Sequence, residues 1–124
     1  MFPVRHEVTI TTDAAGDATG YTAVAHGRIL SVRYAKAASG NYTDGVDFTI
    51  TLEKTGEQVW TEVNVNASKV VYPRVGVHDT VGVAATLNGT QAMRDYLHAE
   101  NDRVKIVVAA GGDTKVGTFH VTTG

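Results

Sequence analysis

Arg103-Val-Lys-Ile-Val-Val-Ala-Ala110 runs through Gly111-Gly112-Asp113-Thr114 into Lys115-Val-Gly-Thr-Phe-His-Val-Thr122, and this stretch decides the fold. Both flanks alternate and are rich in β-branched residues, which suit a pleated, half-buried surface. The glycine pair between them supplies residues that reach positive φ without steric cost. The pattern predicts an antiparallel hairpin, and with it a β module.

Working back along the chain, the same alternation recurs. Asp47-Phe-Thr-Ile-Thr-Leu-Glu53 places Phe48, Ile50 and Leu52 on one face. Lys54-Thr-Gly-Glu57 forms a tight connection, and Gln58 to Val65 alternates again. This predicts a second hairpin with Val59, Val63 and Val65 inward, and Trp60 outward beside Gln58 and Glu62. Lys69 to Tyr72 reads as a short strand that ends at an edge or bend, because Pro73 cannot donate to a ladder. Arg28 to Tyr34 places Leu30, Val32 and Tyr34 together. Val4, His6, Val8 and Ile10 share a face of the first strand, opposite Arg5, Glu7, Thr9 and Thr11.

The remaining segments are less regular. Asp13 to Asp17 is turn chemistry, Tyr21 to Ala25 is weakly strand-like, and Ala35 to Gly45 reads as a polar loop projecting from the body. Gly76 to Gly89 reads as a loop. Thr90 to Ala99 admits two readings. In one, Thr90 caps a short helix with Met93 and Leu97 as an i,i+4 pair. In the other, Arg94 to His98 is a strand that pairs with the C-terminal hairpin. The expected fold is therefore all-β: an antiparallel β-sandwich or small barrel of about seven to eight strands, with at most one short helix. Residues 1–124 are expected to form a single β domain.

Composition narrows the functions open to such a fold. The formal net charge is −2, so no charge-driven binding to nucleic acid is expected. There are no cysteines, which excludes disulfides and Cys-based metal or nucleophilic sites and leans towards intracellular assembly. The N-terminal residues lack a long apolar run, so neither a signal peptide nor a membrane span is expected.

Motifs for chemistry are sparse. His6, His26, His78, His98 and His120 are scattered, and only His78-Asp79 adjoins a second ligand type. Neighbours on a strand point to opposite faces, so that pair is not expected to chelate. No nucleophile elbow, P-loop or dinucleotide fingerprint occurs. Asp47, Glu53 and Glu62 alternate outward as solvated charge. The triplets Asn41-Tyr-Thr43, Asn66-Ala-Ser68 and Asn88-Gly-Thr90 carry no weight without a secretory signal. A non-enzymatic protein with no cofactor and no metal is expected. The candidate contact residues are Phe2 and Pro3 in an apolar N-terminal arm that could add to a neighbour's sheet, Tyr42, Trp60 and Tyr72 as surface aromatics, and Arg74 as an intersubunit ion-pair partner.

Tyr42 to Thr51, Val59 to Lys69, Tyr72-Pro-Arg74 and Arg103 to Gly112 resemble stretches of small β-rich virion structural proteins of tailed bacteriophages. The resemblance implies a decoration or cement protein on the head, a spike component, or a connector or tail subunit. It further implies a major capsid protein or other virion proteins as partners, a homo-oligomer (trimer or higher), and a place in the virion after assembly in the host cytoplasm. It carries over no functional residues. The alternative is a carbohydrate- or receptor-binding β module in which Trp60, Tyr42 and the Gly40 to Gly45 loop touch a glycan.

Overall fold

The computed structural model describes residues 2–87 and 89–124. Met1, first residue of the expected N-terminal arm, and Asn88, first of the third Asn-x-Ser/Thr triplet, lie outside them. Twelve strands form among the described residues, and no helix. They are β1 (Val4–Thr11), β2 (Ala18–Tyr21), β3 (Ala25–Lys36), β4 (Asp47–Leu52), β5 (Gln58–Glu62) and β6 (Lys69–Val71). The remainder are β7 (Arg74–Gly76), β8 (Thr86–Leu87), β9 (Gln91–Ala92), β10 (Arg94–Asp102), β11 (Val104–Ala109) and β12 (Val116–Thr123). A six-stranded antiparallel sheet runs β1-β12-β3-β10-β7, with β6 also paired to β3. A four-stranded sheet runs β2-β11-β4-β5, and β8 pairs with β9. The all-β, antiparallel, sandwich-like fold is as expected, the sheets do not close into a barrel, and the strands outnumber the seven or eight anticipated.

The C-terminal pair corrects the reading that began from it. β11 pairs with β2 and β4, whereas β12 pairs with β1 and β3. The segment between them is a crossing from one layer to the other, not a hairpin turn. Ala110, Gly112 and Thr114 all take positive φ and swing the chain across. Their backbone partners lie elsewhere: the Gly111 amide donates to Gly16 O at 2.8 Å and Thr43 N donates to Gly111 O at 3.0 Å. The Thr12 hydroxyl donates to Gly112 O at 2.6 Å and accepts from Lys115 N at 2.8 Å. Alternation specified one buried face per strand, and both strands have one: Val104, Ile106 and Val108 on β11, Phe119 and Val121 on β12.

The β4–β5 hairpin forms as expected, but with a bulge. Thr51 faces Gln58 while Ile50 faces Trp60, so Val59 is the extra residue. The bulge turns Val59 and Trp60 inward together, and Trp60, expected outward, is only 6% exposed. The shifted phase leaves Val63 69% exposed, and Asn64 at φ 59° then breaks the alternation so that Val65 is buried. A second bulge shifts β3 against β12 between Thr122 and Thr123. The inward set on β3 is therefore Ile29, Val32 and Tyr34, with Leu30 only half-buried.

Thr90 to Ala99 takes the strand reading, though not with the expected partner: β10 lies between β3 and β7, away from the C-terminal strands. Leu97 and Ala99 face the core while Arg94, Tyr96, His98 and Glu100 take the opposite phase. The Ala35 to Gly45 loop does not project at Tyr42. That ring is buried, stacks on Tyr34 at 5.9 Å, and its hydroxyl donates to Ile10 O at 2.7 Å. Gly117 lies directly beneath it, where a Cβ would overlap the Tyr42 ring.

An aromatic cluster fills the space between the sheets. Phe48 stands at its centre, with Tyr34 at 4.8 Å, Phe119 at 4.9 Å, Trp60 at 5.6 Å and Tyr42 at 6.0 Å between ring centroids. Burial pushes the Tyr34 and Tyr42 phenols above their ordinary value of 10.0, Tyr42 further with Tyr34 beside it. A folded-state pKa above the unfolded one means the associated stability is complete below pH 10 and lost as pH rises beyond it. In an alkaline titration, phenolate absorbance from these two residues should appear together with loss of the far-UV β signal. Full ionisation of both with the β signal intact would contradict their burial.

One buried carboxylate ties the sheets at their corner. Asp102, in the bulge where β10 gives way to β11, accepts from Lys54 N at 3.0 Å and from Arg103 N at 2.8 Å. It thereby fastens the β4–β5 turn to that corner. Beside it, Arg103 grips Glu53 through Nε and Nη2.

Candidate functional site

Several of the polar side chains considered for chemistry are engaged in local structure, whereas His120 Nδ1 is buried without a hydrogen-bond partner among the described residues. Asp79 accepts from Val81 N and Val83 N, closing its own turn, while His78 Nδ1 lies 3.1 Å from Gly76 O. Asp13 does the same for Ala15 and Asp17, and Asp47 accepts from Asn64 N. The Arg103 guanidinium holds the Glu53 carboxyl below its usual range. The Lys69 ammonium does so for Glu62, helped by the Trp60 indole, which donates to Glu62 Oε1 at 3.1 Å. Among the described residues no group of three or more His, Asp or Glu is disposed to hold a metal.

The six candidate contact residues divide. Tyr42 and Trp60 are core residues and leave the surface, because the loop tuck and the β5 bulge turn both inward. Phe2, Pro3, Tyr72 and Arg74 are exposed. Phe2 is 89% exposed and, with Val4, His6, Val24, His26 and Thr123, borders a cavity of about 330 Å³. Val4 continues the inward row of β1 yet remains exposed. Tyr72 is 65% exposed at the Pro73 bend between β6 and β7. Among the described residues Arg74 makes no ion pair; its Nη1 donates to Pro73 O, and its guanidinium lies 4.0 Å from the Tyr96 ring centroid.

Residues 77–87 and 89–93, read from the sequence as loop up to Gly89 and as the start of a helix or strand from Thr90, form an arm. It is held by its own backbone: Val77 N to Met93 O at 2.8 Å, Ala85 N to Val77 O at 2.7 Å, and Asp79 N to Val83 O at 2.8 Å. β7 joins it to the body through β10. Val81, 80% exposed, Val83 and Met93 lie uncovered on this arm, and Val75 at its base. The cue in the sequence was valine recurring at 75, 77, 81 and 83 within an otherwise Gly-rich stretch, a density of β-branched residues that a plain loop does not need.

Fold and surface together define an antiparallel β-sandwich protein with exposed apolar side chains on residues outside its two main sheets. No family model matches the chain, and no curated protein matches it. Among solved structures it is similar to a crystal structure of FLHE, with a TM-score of 0.48 and 8% sequence identity over 98% of this chain and 96% of that one.

Proposed function

We propose that this protein is a structural subunit of a tailed-phage virion, a decoration protein that reinforces the head through many identical non-covalent contacts. The observation that carries the reading is the 77–93 arm, which presents Val81, Val83 and Met93 to solvent. Exposed apolar side chains gain free energy when a partner covers them. Repetition over a symmetric shell then multiplies a weak contact into stable attachment. Phe2 and Pro3, immediately before β1, supply a second apolar element that a neighbouring subunit would cover. The resemblance of residues 42–51, 59–69 and 103–112 to phage structural proteins supports the same assignment. The glycan-binding alternative loses its two named aromatics, since Trp60 and Tyr42 lie in the core.

Two measurements test the proposal. Quantitative mass spectrometry of purified particles should find the chain at a copy number comparable with that of the shell protein, and its absence from particles would overturn the assignment. The double variant Val81→Asp/Val83→Asp should change unfolding free energy by no more than about 0.5 kcal/mol, as expected for exposed positions, while abolishing attachment to particles that lack the protein. Undiminished attachment would remove the arm from the contact.

A further inference from the structure

The outer face of the six-stranded sheet carries a charge pattern opposite to that of the chain as a whole. Strand phase places Arg5 on β1, Arg28 and Arg33 on β3, Arg94 on β10 and Arg74 on β7 on this one face. These are five of the six arginines in a chain of net charge −2, and no lysine shares the face. Glu7 and Glu100 are the carboxylates in the same phase. Glu7 lies 4.0 Å from His120 Nδ1, and Glu100 sits opposite His26 in the register. Among the described residues, none of the five guanidiniums has a carboxylate within salt-bridge distance.

Two of them are held in place. Arg74 sits directly opposite Tyr96 across the β7–β10 ladder, with its Cζ 4.0 Å from the ring centroid. Arg28 approaches the same ring at 4.9 Å, and its Nε donates to Gly124 O at 3.1 Å. Stacking on an aromatic ring and bonding to a carbonyl restrict these guanidiniums while leaving donors over, and less ordering is then lost when an oxyanion arrives.

We infer that this arginine face is a docking surface for a partner protein that presents clustered Asp and Glu side chains. Arginine with tyrosine, in the absence of lysine, is the composition of protein–protein contacts, where planar forks pair bidentately with carboxylates. A nucleic-acid face would draw on lysine as well, and the net negative charge of the chain gives no long-range attraction to a phosphate backbone. The inference is independent of the virion assignment, since it concerns the chemistry of the partner and a different surface from the arm.

The test uses fluorescent poly-L-glutamate as probe, with binding followed by anisotropy at low ionic strength. The full chain should bind it. Arg33→Glu/Arg94→Glu, whose parent side chains make no hydrogen bond among the described residues, should weaken binding by about tenfold or more, with the far-UV circular dichroism unchanged. Arg28→Lys/Arg74→Lys keeps the charge but loses the stacked forks, and should weaken binding by about threefold. Lys105→Glu, on the opposite sheet, should change it by less than about twofold. Equal loss with Lys105→Glu, or no loss with Arg33→Glu/Arg94→Glu, would overturn the inference. So would tighter binding of single-stranded DNA or heparin than of poly-L-glutamate at the same ionic strength.

Discussion

Phe48→Ala is expected to lower the unfolding free energy by about 3–5 kcal/mol, the range for deleting a buried aromatic ring. Phe48 is fully buried on the central hairpin, and four other rings converge on it. Its removal opens a cavity lined by side chains from both sheets. Those rings cannot all move in, because Tyr42 is tied to Ile10 O and the Trp60 indole to Glu62. Natural domains are stable by only about 5–15 kcal/mol, so a large share of the total is at stake. Urea denaturation should show a lower midpoint at unchanged slope, with Phe48→Leu losing less because it refills part of the space. A loss below about 1 kcal/mol, as at a surface position, would contradict the central place of this ring.

Asp102→Ala is expected to cost about 2–4 kcal/mol, since two backbone amides at a buried corner lose their acceptor and each orphaned group costs about 1–3 kcal/mol. Lys54 N and Arg103 N both point at this carboxylate. Water would have to reach a site where Asp102 itself is almost wholly enclosed. Asp102→Asn retains an acceptor oxygen and should recover a good part of the loss. Hydrogen exchange gives an independent reading: the Lys54 and Arg103 amides should lose protection in Asp102→Ala and largely keep it in Asp102→Asn. Unchanged exchange at both amides would show that the corner is held by something else.

The contrast between Phe48 and Asp102 shows what sequence reading reaches. Phe48, Ile50 and Leu52 were legible because period-two alternation over β4 leaves one inward set, and all three are buried. Trp60 was misplaced for a physical reason: a single extra residue in β5 inverts the phase from Trp60 to Val63, and nothing in Gln58-Val-Trp-Thr announces a bulge. Asp102 was invisible because its partners are backbone amides, and backbone amides carry no residue signature. The pair β11 and β12 failed in another way. Alternation and turn residues describe each strand and the bend between them, yet the choice between a hairpin and a layer crossing rests on hydrogen bonds with Gly16, Thr12 and Thr43, all more than sixty residues upstream. Of the candidate surface, Phe2, Pro3, Tyr72 and Arg74 could be read from apolar or bend residues near element ends. The arm and the arginine face could not, because the first was masked by glycine and the second exists only once β1, β3, β7 and β10 lie side by side.

The layer crossing also sets a timetable. β12 is flanked by β1 and β3, and β11 by β2 and β4, so residues 104–123 occupy interior positions in both sheets. Chain leaving a ribosome cannot finish either sheet until those residues have emerged. β1 in particular waits for Thr123 to pair with Val4. Meanwhile the early strands carry open edges and uncovered valines, the condition under which chains stick to one another. Closure over such long sequence separations is slow. Folding of this domain therefore waits on residues 104–123, and mutations that weaken them act on yield as well as on stability.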